Sequence, residues 1–172
     1  MCKIKGKGER MGDNILEGKK ILIVDDEPDV LDTLEELLPM CQVVKAGTNA
    51  EARTHLMEEK FDLVILDIMG VDGYNLLPLA NQKNIPAVML TANALSVQDT
   101  IKSFNLGAAY YVPKEKMDDI TTYLEDILEA QRRGKSLMGR WLDRLESYYD
   151  KRFGADWKKD DPEFWGKFPY WY

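Results

Sequence analysis

The chain has 172 residues, of which 45% are hydrophobic and 31% charged, with a net charge of −7. That length suits one domain with a full core plus an appendage. The acidic balance argues against a general nucleic-acid binder, whose phosphate contacts need a basic surface.

Residues 1–18 read as a tail: the start is basic but lacks the apolar segment of a signal peptide. Residues 21–24, Ile-Leu-Ile-Val, form a β-branched apolar run that ends on Asp25, Asp26 and Glu27. Pro28 suits the first turn of a helix, and Val30, Leu31, Leu34, Leu37 and Leu38 follow at helical spacing until Pro39. A short strand is predicted over 41–46. Thr48 with Glu51 makes a capping box for a helix to about Glu59, which contains His55. With one histidine, chemistry needing two from this chain is excluded.

Leu63 to Leu66 is uninterrupted and apolar, the pattern of a parallel strand covered on both faces, and it stops at Asp67. A carboxylate ending a buried strand is costly without a partner or a task. A helix is predicted over 73–82, which Pro78 should bend or shorten. Residues 86–90 form a fourth strand ending on Thr91. A weaker helix over 95–104 leads to Gly107. A fifth strand over 108–112 ends at Pro113 and Lys114. The stripe of Ile120, Tyr123, Leu124, Ile127 and Leu128 marks a fifth helix, stopping near Gly134. Five strands alternating with five helices predict an α/β fold with a parallel sheet and helices on both faces.

After 134 the composition changes. This stretch holds all four Trp and 11 of the 17 aromatics, and its 136–152 segment reads as an amphipathic helix. It is too short to enclose its own core, so the expected organisation is a tail (1–18), one domain (19–133) and an aromatic-rich extension (134–172). The extension has eight Lys/Arg against seven Asp/Glu and no basic face. It is read as a surface that folds back on the domain or makes a homodimer or partner contact. Cys2 and Cys41 are too few for a disulfide framework, which points to a cytoplasmic setting. No apolar run approaches the roughly 18 residues of a membrane span.

In open α/β sheets, functional groups gather at the carboxyl ends of the strands. Those ends carry Asp25, Asp26, Asp67, Thr91 and Lys114. Three close carboxylates repel one another unless a cation joins them, and Mg²⁺ suits an oxygen-only set while leaving a position for a phosphoryl oxygen. Lys114 and the Thr91 hydroxyl supply further donors, and an aspartate can itself form an acyl phosphate.

With these residues in place, the sequence resembles the receiver domain of bacterial two-component response regulators, over roughly 18–133. The matching pieces are 21–28 (Ile-Leu-Ile-Val-Asp-Asp-Glu-Pro), 63–69 (Leu-Val-Ile-Leu-Asp-Ile-Met), 88–92 (Val-Met-Leu-Thr-Ala) and 107–114 (Gly-Ala-Ala-Tyr-Tyr-Val-Pro-Lys). The resemblance implies a doubly wound, flavodoxin-like sheet in order 2-1-3-4-5. It implies a phosphoryl group passed to Asp67 from a sensor histidine kinase or phosphotransfer protein, and signalling to a downstream partner, with no enzymatic activity on other substrates. Asp25, Asp26, Asp67 and the Met69 carbonyl are the implied Mg²⁺ ligands. Lys114 pairs with the phosphoryl group, and Thr91 and Tyr111 form the switch pair. Met69 and Asn93 occupy the positions that tune dephosphorylation.

Two departures stand out. The family loop after the phosphoacceptor usually runs two residues longer and contains Pro; here Asp67 reaches Asp72-Gly73 through Ile68, Met69, Gly70 and Val71 only. Lys114 is followed by Glu115 where the family often has a cis Pro, so this bond is either held cis by its surroundings or relaxed to trans. Two other readings compete: a pseudo-receiver that is never phosphorylated, and a Mg²⁺-dependent phosphohydrolase with an aspartate nucleophile. Asp25-Asp26-Glu27 lacks the spacing of the latter.

Overall fold

The apolar runs become the strands of one sheet, and a computed structural model describes residues 14–92 and 95–168. The strands are β1 (Lys20–Val24), β2 (Gln42–Ala46), β3 (Leu63–Asp67), β4 (Ala87–Thr91) and β5 (Tyr110–Pro113). They pair in parallel in the order β2-β1-β3-β4-β5, which is the expected order. Between and after them come α1 (Pro28–Leu37), α2 (Asn49–Glu58), α3 (Gly73–Gln82), α4 (Val97–Asn105), α5 (Ile120–Arg133), α6 (Met138–Phe153) and the single turn α7 (Pro162–Trp165).

Because strand side chains alternate faces, each run divides between two cores. Ile21, Ile23, Ile65, Val88 and Val112 pack with Leu34 of α1 and Leu124 and Ile127 of α5. Leu22, Val64, Leu66 and Met89 pack with Leu56 of α2 and Leu76 and Leu77 of α3. All residues of β3 and β4 are buried, which explains their unbroken hydrophobicity.

Local signals hold with small shifts. Thr48 accepts from the Glu51 N–H at 3.1 Å, but the Glu51 carboxylate accepts from Gly47 N–H at 2.8 Å rather than closing on Thr48 itself. Pro78 does not shorten α3, which keeps its predicted span. Burial of Leu76, Leu77 and Ala80 against the sheet outweighs the one lost hydrogen bond. Helix α4 begins after Ser96, whose hydroxyl accepts from Asp99 N–H at 2.9 Å, so Leu95 lies outside it. No peptide bond among the described residues is cis, so Lys114–Glu115 is trans.

The two sheet edges differ. Strand β2 is mostly exposed or half-buried, as an edge strand should be. Strand β5, at the other edge, is wholly buried, because the extension covers it. Trp141 of α6 is fully buried, and its indole N–H donates to the Tyr111 carbonyl at 2.8 Å. Around it stand Phe104 (5.3 Å between ring centroids), Tyr149 (5.1 Å) and Trp165 (5.9 Å), with Trp157 4.8 Å from Trp165. Tyr149 O–H lies 2.6 Å from the Thr100 hydroxyl of α4. Asp126 of α5, only 3% exposed, receives Arg140 and Arg144 of α6, each at 3.0 Å. The extension thus shares a core with the sheet, as the fold-back reading expected.

Candidate functional site

Parallel strands present all their carboxyl ends on one edge, and that edge collects the polar groups. Asp25 and Asp26 follow β1, Asp67 ends β3, Thr91 ends β4 and Lys114 follows β5. Carboxylate oxygens of Asp25, Asp26 and Asp67 all lie within 4.8 Å of one another. Asp25 and Asp67 are buried, whereas Asp26 is exposed.

Lys114 reaches into this cluster. Its Nζ lies 2.8 Å from Asp25 Oδ2, 2.9 Å from Glu27 Oε1 and 3.3 Å from Asp67 Oδ1. Burial alone would lower the Lys114 pKa; its contacts with Asp25 and Glu27 outweigh that and raise it, keeping the ammonium charged. Burial pushes the Asp25 carboxyl up and the Asp67 charge adds to the rise, against Lys114 and the Glu27 N–H (2.9 Å from Oδ1). The Lys114 contact holds the exposed Glu27 carboxyl below its usual range. Glu27 as a second partner for Lys114 was not foreseen from sequence; its position directly after the acidic pair was the available signal.

The short loop after Asp67 folds tightly. Gly73 N–H donates to the Ile68 carbonyl at 3.0 Å, Asn49 Nδ2 donates to Val71 O at 2.9 Å, and Asp72 takes a left-handed φ of 55°. Gly70 N–H donates to Asp67 Oδ2 at 2.8 Å. A Cβ at Gly70 would stand 2.1 Å from Asp26 Oδ1 and 2.7 Å from Asp67 Oδ2. The glycine is therefore required by the close approach of the loop to the acids.

These groups line a cleft of about 320 Å³ that includes Asp26, Asp67, Met69, Gly70, Thr91 and Lys114. Met69 is 64% exposed. The three carboxylates suit a hard divalent cation. The Lys114 ammonium already stands among them, 2.8 Å from the buried Asp25 Oδ2, so the cluster accepts a positive charge. Tyr111 is brought near but not into the cleft. It is fully buried on β5, with burial raising its phenol pKa and its hydroxyl interacting with Thr100 and the Ser96 backbone. Asn93 lies outside the described residues.

A family model for the response regulator receiver domain matches residues 21–125. The chain belongs to the response regulator receiver family. The receiver is 35% identical over 122 residues to a two-component response regulator of Oryza sativa subsp. indica, covering 66% of this chain and 19% of that protein. It is 32% identical over 146 residues to one of Arabidopsis thaliana, covering 81% and 22%. The chain therefore spans about a fifth of the length of these curated relatives. Among solved structures, it resembles a CheY-like receiver domain protein from Methanospirillum hungatei, with a TM-score of 0.62 at 29% identity, covering 69% of this chain and 99% of that one. It also resembles a response regulator from Burkholderia pseudomallei, solved with a phosphorylated aspartic acid, calcium ion and citrate (TM-score 0.52, 25% identity, 56% of this chain and 59% of that one). Receivers are signalling domains. Among the described residues, no helix is long and apolar enough to cross a membrane.

Proposed function

We propose that this receiver accepts a phosphoryl group on Asp67, with Mg²⁺, from a sensor histidine kinase or phosphotransfer protein, and passes the signal to a downstream protein. The convergence of Asp25, Asp26 and Asp67 oxygens within 4.8 Å, with Lys114 Nζ 3.3 Å from Asp67 Oδ1, carries the proposal. In the reaction an Asp67 carboxylate oxygen bonds to phosphorus, the P–N bond of the phosphohistidine breaks, and its electron pair remains on the imidazole. The product is an acyl phosphate on Asp67.

Asp25, Asp26 and Asp67 would hold the Mg²⁺, with the Met69 carbonyl as a further ligand, and the bound ion would supply charge neutralisation for the clustered acids and for a phosphoryl oxygen. Gly70 leaves room for this, and its N–H orients the Asp67 carboxylate. Lys114 exchanges contact with the acids for contact with the phosphoryl group. Thr91 donates its hydroxyl to the phosphoryl group, and Tyr111 is the second member of the switch. Exposed, apolar Met69 at the cleft is a poor positioner of hydrolytic water, so the phosphoryl state is long-lived; Asn93 is the companion position. We assign the receiver unit to 19–133 and its integral extension to 134–172, with no turnover of outside substrates.

Incubation of wild type and Asp67→Asn with a small phosphodonor and Mg²⁺, read by intact mass, tests the proposal. Wild type should gain one phosphoryl group and the variant none. No gain in wild type would favour a pseudo-receiver.

A further inference from the structure

Beside the acidic cleft lies a second cavity of about 130 Å³, which shares Thr91, Ala92 and Lys114 with it. Its remaining wall comes from Leu95, Pro113 and Glu115 of the receiver and from Tyr148 and Arg152 of the extension. Tyr148 O–H donates to the Glu115 carboxylate, directly after Lys114 in sequence. The last turns of α6 therefore stand next to the groups that line the Asp67 cleft.

Arg152 differs from the paired cations of the extension. In α6, Arg140 and Arg144 are engaged by Asp126, and further on Lys158 is engaged by Glu146 and Lys159 by Asp156. Arg152, like Lys151 beside it, is exposed and has no ion pair among the described residues, and of the two it is Arg152 that lines the cavity. A phosphoryl group on Asp67 adds about −1.5 to −2 charge and three acceptor oxygens. Lys114, once it leaves Asp25 and Glu27, supplies a single positive charge against that demand. A guanidinium offers a planar fork that matches a phosphoryl group, on a long side chain able to cross a small cavity.

We propose that Arg152 reads the phosphoryl group in cis: it pairs with phosphorylated Asp67 through the shared cavity and tightens α6 against β5 and the 114–115 turn. The extension is then the receiver's own first output element, which phosphorylation grips rather than releases. This rests on Asp67 being the phosphoacceptor. The ordinary alternative is that Arg152 only complements the carboxyl end of the α6 dipole, a role indifferent to phosphorylation.

The full chain, Arg152→Gln and Arg152→Lys are each treated with acetyl phosphate and Mg²⁺. Intact mass reports the phosphoryl group, and amide hydrogen exchange is read over 146–153. Phosphorylated wild type should exchange there about three- to fivefold more slowly than its unmodified form, the size of one partly exposed charge pair. Arg152→Gln should gain the phosphoryl group yet show no slowing, and Arg152→Lys should recover part of it. Equal slowing in Arg152→Gln, or none in phosphorylated wild type, overturns the proposal. Absence of the phosphoryl group from wild type overturns the Asp67 reading itself, and this one with it.

Discussion

Trp141 gives the sharpest test of how the extension is joined to the sheet. Replacing it with Phe keeps most of the ring contacts to Phe104, Tyr149 and Trp165 but removes the indole N–H from the Tyr111 carbonyl. That carbonyl lies on a covered sheet edge, so losing its partner should cost about 1–3 kcal/mol. Trp141→Ala also empties a fully buried ring site, and should cost about 3–5 kcal/mol. Against a typical stability of about 5–15 kcal/mol, either is large. Urea unfolding should be followed by far-UV circular dichroism and, separately, by tryptophan fluorescence. All four tryptophans lie beyond residue 134, so fluorescence reports the extension alone. A shared core predicts coincident transitions, with both probes shifted together in the two variants. A fluorescence transition at lower urea than the dichroism, with Trp141→Ala moving only the former, would refute the shared core.

Three further outcomes are expected. Gly70→Ala should destabilise the chain by about 1–3 kcal/mol, because exposed Asp26 can rotate away but buried Asp67, 2.7 Å from the added Cβ, cannot. Its Mg²⁺-dependent phosphoryl uptake should fall about tenfold or more, measured as initial rate by intact mass. Met69→Asn should lose its phosphoryl group several-fold faster than wild type, timed after donor removal; unaltered rapid loss in both would count against the assigned role. Stability should fall at alkaline pH. Tyr110, Tyr111 and Tyr149 are fully buried, and burial raises all three phenols well above 10.0, so the folded chain retains protons that the unfolded chain releases. Their contribution is complete below the unfolded pKa and is lost above it, at about 1.4 kcal/mol per phenol by about pH 11. Urea midpoints that stay flat from about pH 8 to pH 11 would contradict this.

Much of the receiver could be read from residues because its signals are local. Unbroken β-branched runs ending on Asp25, Asp67 and Thr91 declare buried parallel strands and, through their shared polarity, a common site. Ser96 was legible too, since Ser followed by Asp99 is a cap signature, and beginning the helix at apolar Leu95 overlooks it. Other features depend on contacts between distant segments. Glu27 finds Lys114 across 87 positions, and Trp141 finds the Tyr111 carbonyl across 30. Aromatic richness indicated that the extension needs a cover. It did not indicate that the covered surface would be the β5 edge, or that Arg152 would line a cavity with Thr91 and Lys114.

Site mapping addresses Asp67 as phosphoacceptor directly. The full chain is incubated with acetyl phosphate, with and without Mg²⁺, and the modified peptide is located by mass spectrometry. One phosphoryl group on Asp67, dependent on Mg²⁺ and absent from Asp67→Asn, is the predicted result. Modification elsewhere, or none with Mg²⁺ present, would contradict it.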